Sequence, residues 1–130
     1  MIESGGLRYR RLWLAIGWAT VATVIVLSLV RLDVDLSEGR DKWSHFIAYG
    51  AQAFWFGMLY PRRWTVIISF IALGVFLEFA QGLTSYRNFD SADMVANTLG
   101  VLLGSLAAQT RLRCLLSWLE AGFLRFSGRA

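Results

Sequence analysis

One proline, one cysteine and one histidine stand in 130 residues, and only 17% of the side chains are charged. Each scarcity excludes something. With Pro61 as the lone proline, the apolar stretches run on without the strongest helix breaker. Cys114, alone, cannot close a disulfide within the chain. His45, alone, leaves no pair of histidines for an HExxH-type zinc site, so no metal and no cofactor are expected. A soluble domain carries about 25% charged residues, so a water-soluble fold is disfavoured too.

What is present points the other way. The chain is 56% hydrophobic, with a mean hydropathy of +0.50. That composition describes a small integral membrane protein. The net charge is +4. The basic residues flank apolar runs instead of forming one stripe, which argues against nucleic acid as a partner.

Helical spans are predicted at Leu12–Val30, Lys42–Tyr60, Trp64–Thr84 and Ser91–Thr110. Each approaches the roughly 17–25 residues needed to cross hydrocarbon. The first run outlasts the roughly 7–15 residues of a signal-peptide core, so it reads as a retained span. Pro61 ends the second, because the residue before a proline avoids helical geometry. Leu112, Leu115, Leu116, Leu119, Phe123 and Phe126 recur at helical spacing, with Arg113, Ser117, Glu120 and Arg125 off that stripe. This segment is too short to span, so it reads as an amphipathic helix lying in the interface.

The expected architecture is therefore all-α. It has a basic cytoplasmic N-terminus (1–11), a four-helix transmembrane bundle (12–110) and an amphipathic tail (111–130). Orientation follows from charge. Arg8, Arg10, Arg11, Arg62, Arg63, Arg111, Arg113, Arg125 and Arg129 lie on one side, and the acids cluster on the other. The positive-inside rule puts both termini in the cytoplasm of a bacterial-type inner membrane.

Polar residues interrupt the spans in register. Asp41, His45, Tyr49 and Gln52 share one face of the second helix, Glu78 and Gln81 one face of the third. Asp93, Asn97, Gly100 and Gly104 share a face of the fourth. At 1.5 Å per residue, Glu78 and Asn97 each sit roughly 9 Å below the outer ends of their helices. Ionisable groups at such depth usually face a bundle interior and mark function. Each also has a plainer explanation. Asp90 suits a helix N-cap and Asp93 a first helical turn. Asn97 suits interhelical glue, and the Gly100/Gly104 ridge suits close helix packing. Glu78 resists such readings, because a glutamine would serve as glue at lower cost.

The segment Asp41-Lys42-Trp43-Ser44-His45-Phe46-Ile47-Ala48-Tyr49 resembles the D-K-x-x-H-x-x-x-Y opening of VanZ-like membrane proteins. Glu78-Phe79-Ala80-Gln81 resembles their E-x-x-Q element, and Arg87 through Gly104 their R-x-x-D-x-x-D-x-x-x-N-x-x-G-x-x-x-G block. The three appear in order over 41–104, while the first helix and the tail carry no resemblance. The resemblance implies a small helical membrane domain. It also implies a link to glycopeptide resistance, since the family's namesake is associated with resistance to teicoplanin.

Three functions fit these residues. In the first, an outward polar pocket binds a lipid headgroup, a lipid-linked cell-wall precursor or a glycopeptide-type amphiphile. Lys42 and Arg87 would hold its phosphate, and Tyr49, Gln81 and Asn97 would orient it. In the second, an intramembrane enzyme uses Glu78 as general base, His45 as general acid and Asp93 to orient His45. In the third, Glu78 is the proton site of a small carrier. Membrane lipids or an envelope precursor are the expected partners, and Gly100 and Gly104 could assemble a homo-oligomer.

Overall fold

The computed structural model describes residues 6–30, 38–85 and 89–128, and for 38–41 the backbone alone. Among the described residues the chain is all-helical. The helices are α1 (Arg10–Leu29), α2 (Glu38–Leu59), α3 (Arg63–Gly82), α4 (Ser91–Ala107) and α5 (Leu115–Phe126), with a 3-10 turn at Arg111–Cys114.

The boundaries differ from the sequence reading in physically sensible ways. α2 begins at Glu38, ahead of the expected Lys42. α3 stops at Gly82, and Thr84 turns back to donate its hydroxyl to Gln81 O at 2.6 Å. α4 stops at Ala107 instead of Thr110, because Thr110 caps the 3-10 turn by accepting from Leu112 N. α4 and the Arg111–Phe126 segment meet at a 74° bend.

The first four helices run up and down in alternation. At one end, Arg10 Nη2 donates to Leu59 O at 3.1 Å and Arg63 Nη1 to Gln109 Oε1 at 2.7 Å. At the other, Gln81 Nε2 donates to Ser28 O at 2.8 Å. Leu59 and Ser28 both lie in last helical turns, where carbonyls lack a partner within the helix. Cross-helix donors therefore close the helix ends and fix the antiparallel order. The start of α1 and the end of α4 both lie at the end that carries Arg10, Arg63 and the Arg111–Cys114 turn.

α2 and α4 make the closest contact, and glycine explains it. A Cβ on Gly104 would collide with the carbonyl of Gly50, and one on Gly100 with the carbonyl of Phe46. The Gly100/Gly104 ridge is thus seated against α2 of the same chain. Around it lies a core of Val21, Tyr49, Ala53, Phe56, Val66, Ile67, Phe70 and Val101.

The distribution of polarity is the reverse of a soluble protein's. Gln52, Glu78, Gln81, Asp93, Asn97 and Ser105 are buried, while Ile68, Phe76, Leu103 and Leu106 are exposed. In water that surface would be an aggregation hazard. In a bilayer it is the expected outside, with polar groups turned to the interior. α1 and α3 are each long and apolar enough to cross a membrane.

α5 joins the bundle instead of lying wholly apart. Leu116 is buried, and so is Glu120, which the helical stripe had placed on the polar side. Leu112, Leu119, Phe123 and Phe126 remain exposed. Leu116 of the expected apolar stripe therefore packs beneath α5 together with Glu120, while Leu112, Leu119, Phe123 and Phe126 of the same stripe face outward.

Candidate functional site

Three helices bring their polar residues to one place, at the end opposite the termini. His45 comes from α2, Glu78 from α3, and Asp93 and Asn97 from α4. Helical spacing sets this up: Asp93 and Asn97 are one turn apart on the face of α4 that meets α2. Gly74 of α3 leaves room, since a Cβ there would press on the Tyr49 ring at 3.2 Å and on Asn97 at 3.3 Å.

The distances define the site. His45 Nδ1 lies 3.1 Å from Asn97 Oδ1. An amide oxygen only accepts, so Nδ1 carries the proton and donates. Nε2 then faces Asp93 Oδ2 across 4.0 Å. One donor atom each from His45, Glu78 and Asp93 lies within 4.8 Å of the others. Glu78 is 1% exposed, Asp93 6% and Asn97 3%. Glu78 Oε1 accepts the backbone N–H of Asp90 at 2.9 Å, which fixes the rotation of its carboxylate.

Asp90 also caps α4, accepting from Ala92 N at 2.8 Å, and its other oxygen lies 3.5 Å from Lys42 Nζ. Lys42 and Asp90 are both about two-fifths exposed and form the rim above the buried cluster. As an exposed pair they add little stability.

Other expected residues take different positions. Tyr49 is buried beside Gly74 and Asn97, at the base of the cluster. Gln81 is buried, but its Nε2 is committed to Ser28 O of α1. Gln52 likewise turns to α1, donating to Thr20 O at 3.2 Å. Its buried Oε1 has no hydrogen-bond partner among the described residues. Arg87, expected at the rim, lies outside the described residues, as does the side chain of Asp41. His45 is flanked on both ring nitrogens, by Asn97 Oδ1 at Nδ1 and by Asp93 Oδ2 at Nε2.

The expectation of no metal came from counting histidines. The fold brings one donor atom each from the imidazole and the two carboxylates, the three residues that the acid–base reading joins, within 4.8 Å of one another. A further residue escaped the sequence reading. Glu120 accepts Arg8 N and Tyr9 N, both at 2.9 Å, and Trp13 Nε1 at 2.7 Å. Those are donors at and just ahead of the start of α1, which has no side-chain cap of its own at Tyr9. An uncapped basic helix start was the available signal.

The profile of one protein family, VanZ/LLP1, matches residues 10–113. The chain belongs to the VanZ/LLP1 family. The match begins at α1, so the first helix is part of the family domain even though no motif marked it. All of the converging residues of the VanZ/LLP1 site, from Lys42 to Asn97, lie inside the matched range. No curated protein and no solved structure matches the chain. Family membership and apolar helices of spanning length together mark it as a membrane protein.

Proposed function

We propose that this VanZ/LLP1 protein crosses a bacterial-type cytoplasmic membrane with α1–α4, both termini inside, and binds the anionic headgroup of an envelope amphiphile at its outer end. The amphiphile is a phospholipid, a lipid-linked cell-wall precursor or a lipid-bearing glycopeptide. One observation carries the reading: His45, Glu78, Asp93 and Asn97 converge in a buried cluster beneath the Lys42–Asp90 rim. Support for the topology comes from the up-and-down order and from arginines gathered at the terminal end. α2 is more polar than α1 and α3, but it holds a central position in which its polar face meets the other helices.

A tail has somewhere to lie. An apolar groove of about 220 Å³ between α1 and α2 is lined by Ile16, Val24, Ala48 and Trp55. It fits part of an acyl or isoprenoid chain, while the headgroup would sit at the rim. Lipid-binding mass spectrometry on the detergent-purified protein tests the reading. The probes are phosphatidylglycerol, an isoprenyl phosphate, phosphatidylcholine and a teicoplanin-type glycopeptide. Retention of the anionic or isoprenoid probes, weakened about tenfold in Lys42→Ala or Arg87→Ala, supports it (about 1.4 kcal/mol). Equal retention of all four probes, unchanged in both variants, defeats it.

The hydrogen-bonded imidazole favours a second reading, an acid–base hydrolase or transferase. Asn97 fixes the ring, and Glu78 and Asp93 lie near its other face. Glu78 would act as general base and His45 as general acid. Turnover of a lipid-linked substrate that disappears in Glu78→Gln would select the enzyme over the binder.

A further inference from the structure

We infer that His45, Glu78 and Asp93 hold a divalent transition-metal cation, and that this cation is what engages the phosphate of the amphiphile. The inference rests on the proposed headgroup site and specifies its chemistry.

The donor set is the first reason. One imidazole nitrogen and two carboxylate oxygens, from three separate helices, lie within 4.8 Å of one another. An imidazole with carboxylates suits zinc or manganese, whereas magnesium and calcium favour all-oxygen surroundings. Burial is the second. Two carboxylates that are 1% and 6% exposed gather where bulk water is largely excluded, and there the attraction between their oxygens and a divalent ion is screened less than at a surface.

Orientation is the third reason. Histidines that bind metals almost always donate their other ring N–H to an acceptor, which fixes the tautomer. Asn97 Oδ1 is that acceptor here, which leaves Nε2 on the side of the acids. The backbone N–H of Asp90 does the equivalent for Glu78. Nε2 and Asp93 Oδ2 are 4.0 Å apart, too far for a hydrogen bond. Two metal–ligand bonds end to end span roughly 4.0–4.3 Å, and at a tetrahedral angle their ends lie roughly 3.4 Å apart. The gap thus accommodates one cation with a slight inward movement of the donors. Three protein ligands leave a coordination position open, and a phosphate oxygen can fill it.

The experiment uses the full-length chain in detergent micelles. Metal content is measured by mass spectrometry after purification without chelator, then again after EDTA and re-addition of zinc, manganese or magnesium. About one equivalent of zinc or manganese per chain is expected, with a thermal midpoint that falls with EDTA and recovers on re-addition. Asp93→Asn and His45→Gln should each lower occupancy at least tenfold, while Glu120→Gln, far from the site, keeps it. Circular dichroism confirms that the variants remain helical. If Asp93→Asn does not fold, His45→Gln and the wild-type titration decide. Wild-type protein with neither stoichiometric metal nor an EDTA-dependent midpoint overturns the inference, and so does metal that persists in both site variants. Lipid retention measured with and without metal separates the two claims. Metal binding without any lipid preference sinks the headgroup reading alone; lipid preference indifferent to EDTA sinks the cation's part in it.

Discussion

Asn97 accepts a hydrogen bond from His45 Nδ1 at 3.1 Å, joining α4 to α2 across 52 positions of sequence. Both partners are largely enclosed, so neither can exchange the other for water without rearrangement. Replacing Asn97 with Ala strands the imidazole N–H, at a cost of about 1–3 kcal/mol. The thermal midpoint of the purified protein should fall accordingly, and headgroup retention should fall with it. Asn97→Asp keeps an acceptor in place and should retain more of the stability than Asn97→Ala; the opposite order would show that the amide serves some other neighbour.

The α2–α4 seam predicts a contrast between glycines. Gly104→Ala drives a methyl into the Gly50 carbonyl, and overpacking of that kind costs about 1–3 kcal/mol. At Gly122, on α5, a methyl group would meet nothing within 4 Å, so Gly122→Ala should be neutral or stabilise by up to about 1 kcal/mol. Thermal unfolding in a single detergent compares the two. Equal effects would mean that the seam is looser than its geometry.

Glu120 gathers three donors from the start of α1, and it is buried. Glu120→Ala should destabilise the protein by about 1–3 kcal/mol, the cost of leaving buried donors unmet. Trp13→Phe removes only the indole N–H and should cost less. In the double variant the two losses should not add, because they share one contact. Strict additivity would separate the two residues.

Topology has its own test. With Cys114 replaced by Ser, single cysteines are placed at Gly6 or at Ser91, on opposite ends of the bundle. An impermeant maleimide added to intact bacterial cells should label Ser91→Cys and reach Gly6→Cys only after lysis. The reverse pattern would invert the protein and put the polar cluster on the cytoplasmic face.

Much of the site was legible in the sequence because helical spacing is rigid. Once α2 and α4 are helices, His45 and Tyr49 must share a face, and so must Asp93 and Asn97. Spacing says nothing about how far each helix is rotated about its own axis. That is why Gln81, one turn from Glu78, was grouped with it, although its amide is spent on Ser28 O in the unsatisfied last turn of α1. Helical spacing sets Glu120 off the apolar stripe of its own helix and gives it no partner there. Its partners are more than 100 positions away, and no local pattern reports them. His45, Glu78 and Asp93 sit on three different helices, so depth and spacing group them, but only packing shows their donor atoms within 4.8 Å of one another.

The contact at Glu120 also bears on where the molecule can be cut. The family match closes at Arg113, before α5 begins, yet the carboxylate that completes the first helix stands beyond that limit. A version ending at Arg113 would deprive the Trp13 indole N–H, and the amides of Arg8 and Tyr9 where they are kept, of the carboxylate that receives them. The unit of inheritance and the unit of folding therefore have different borders, and expression designs should respect the larger one.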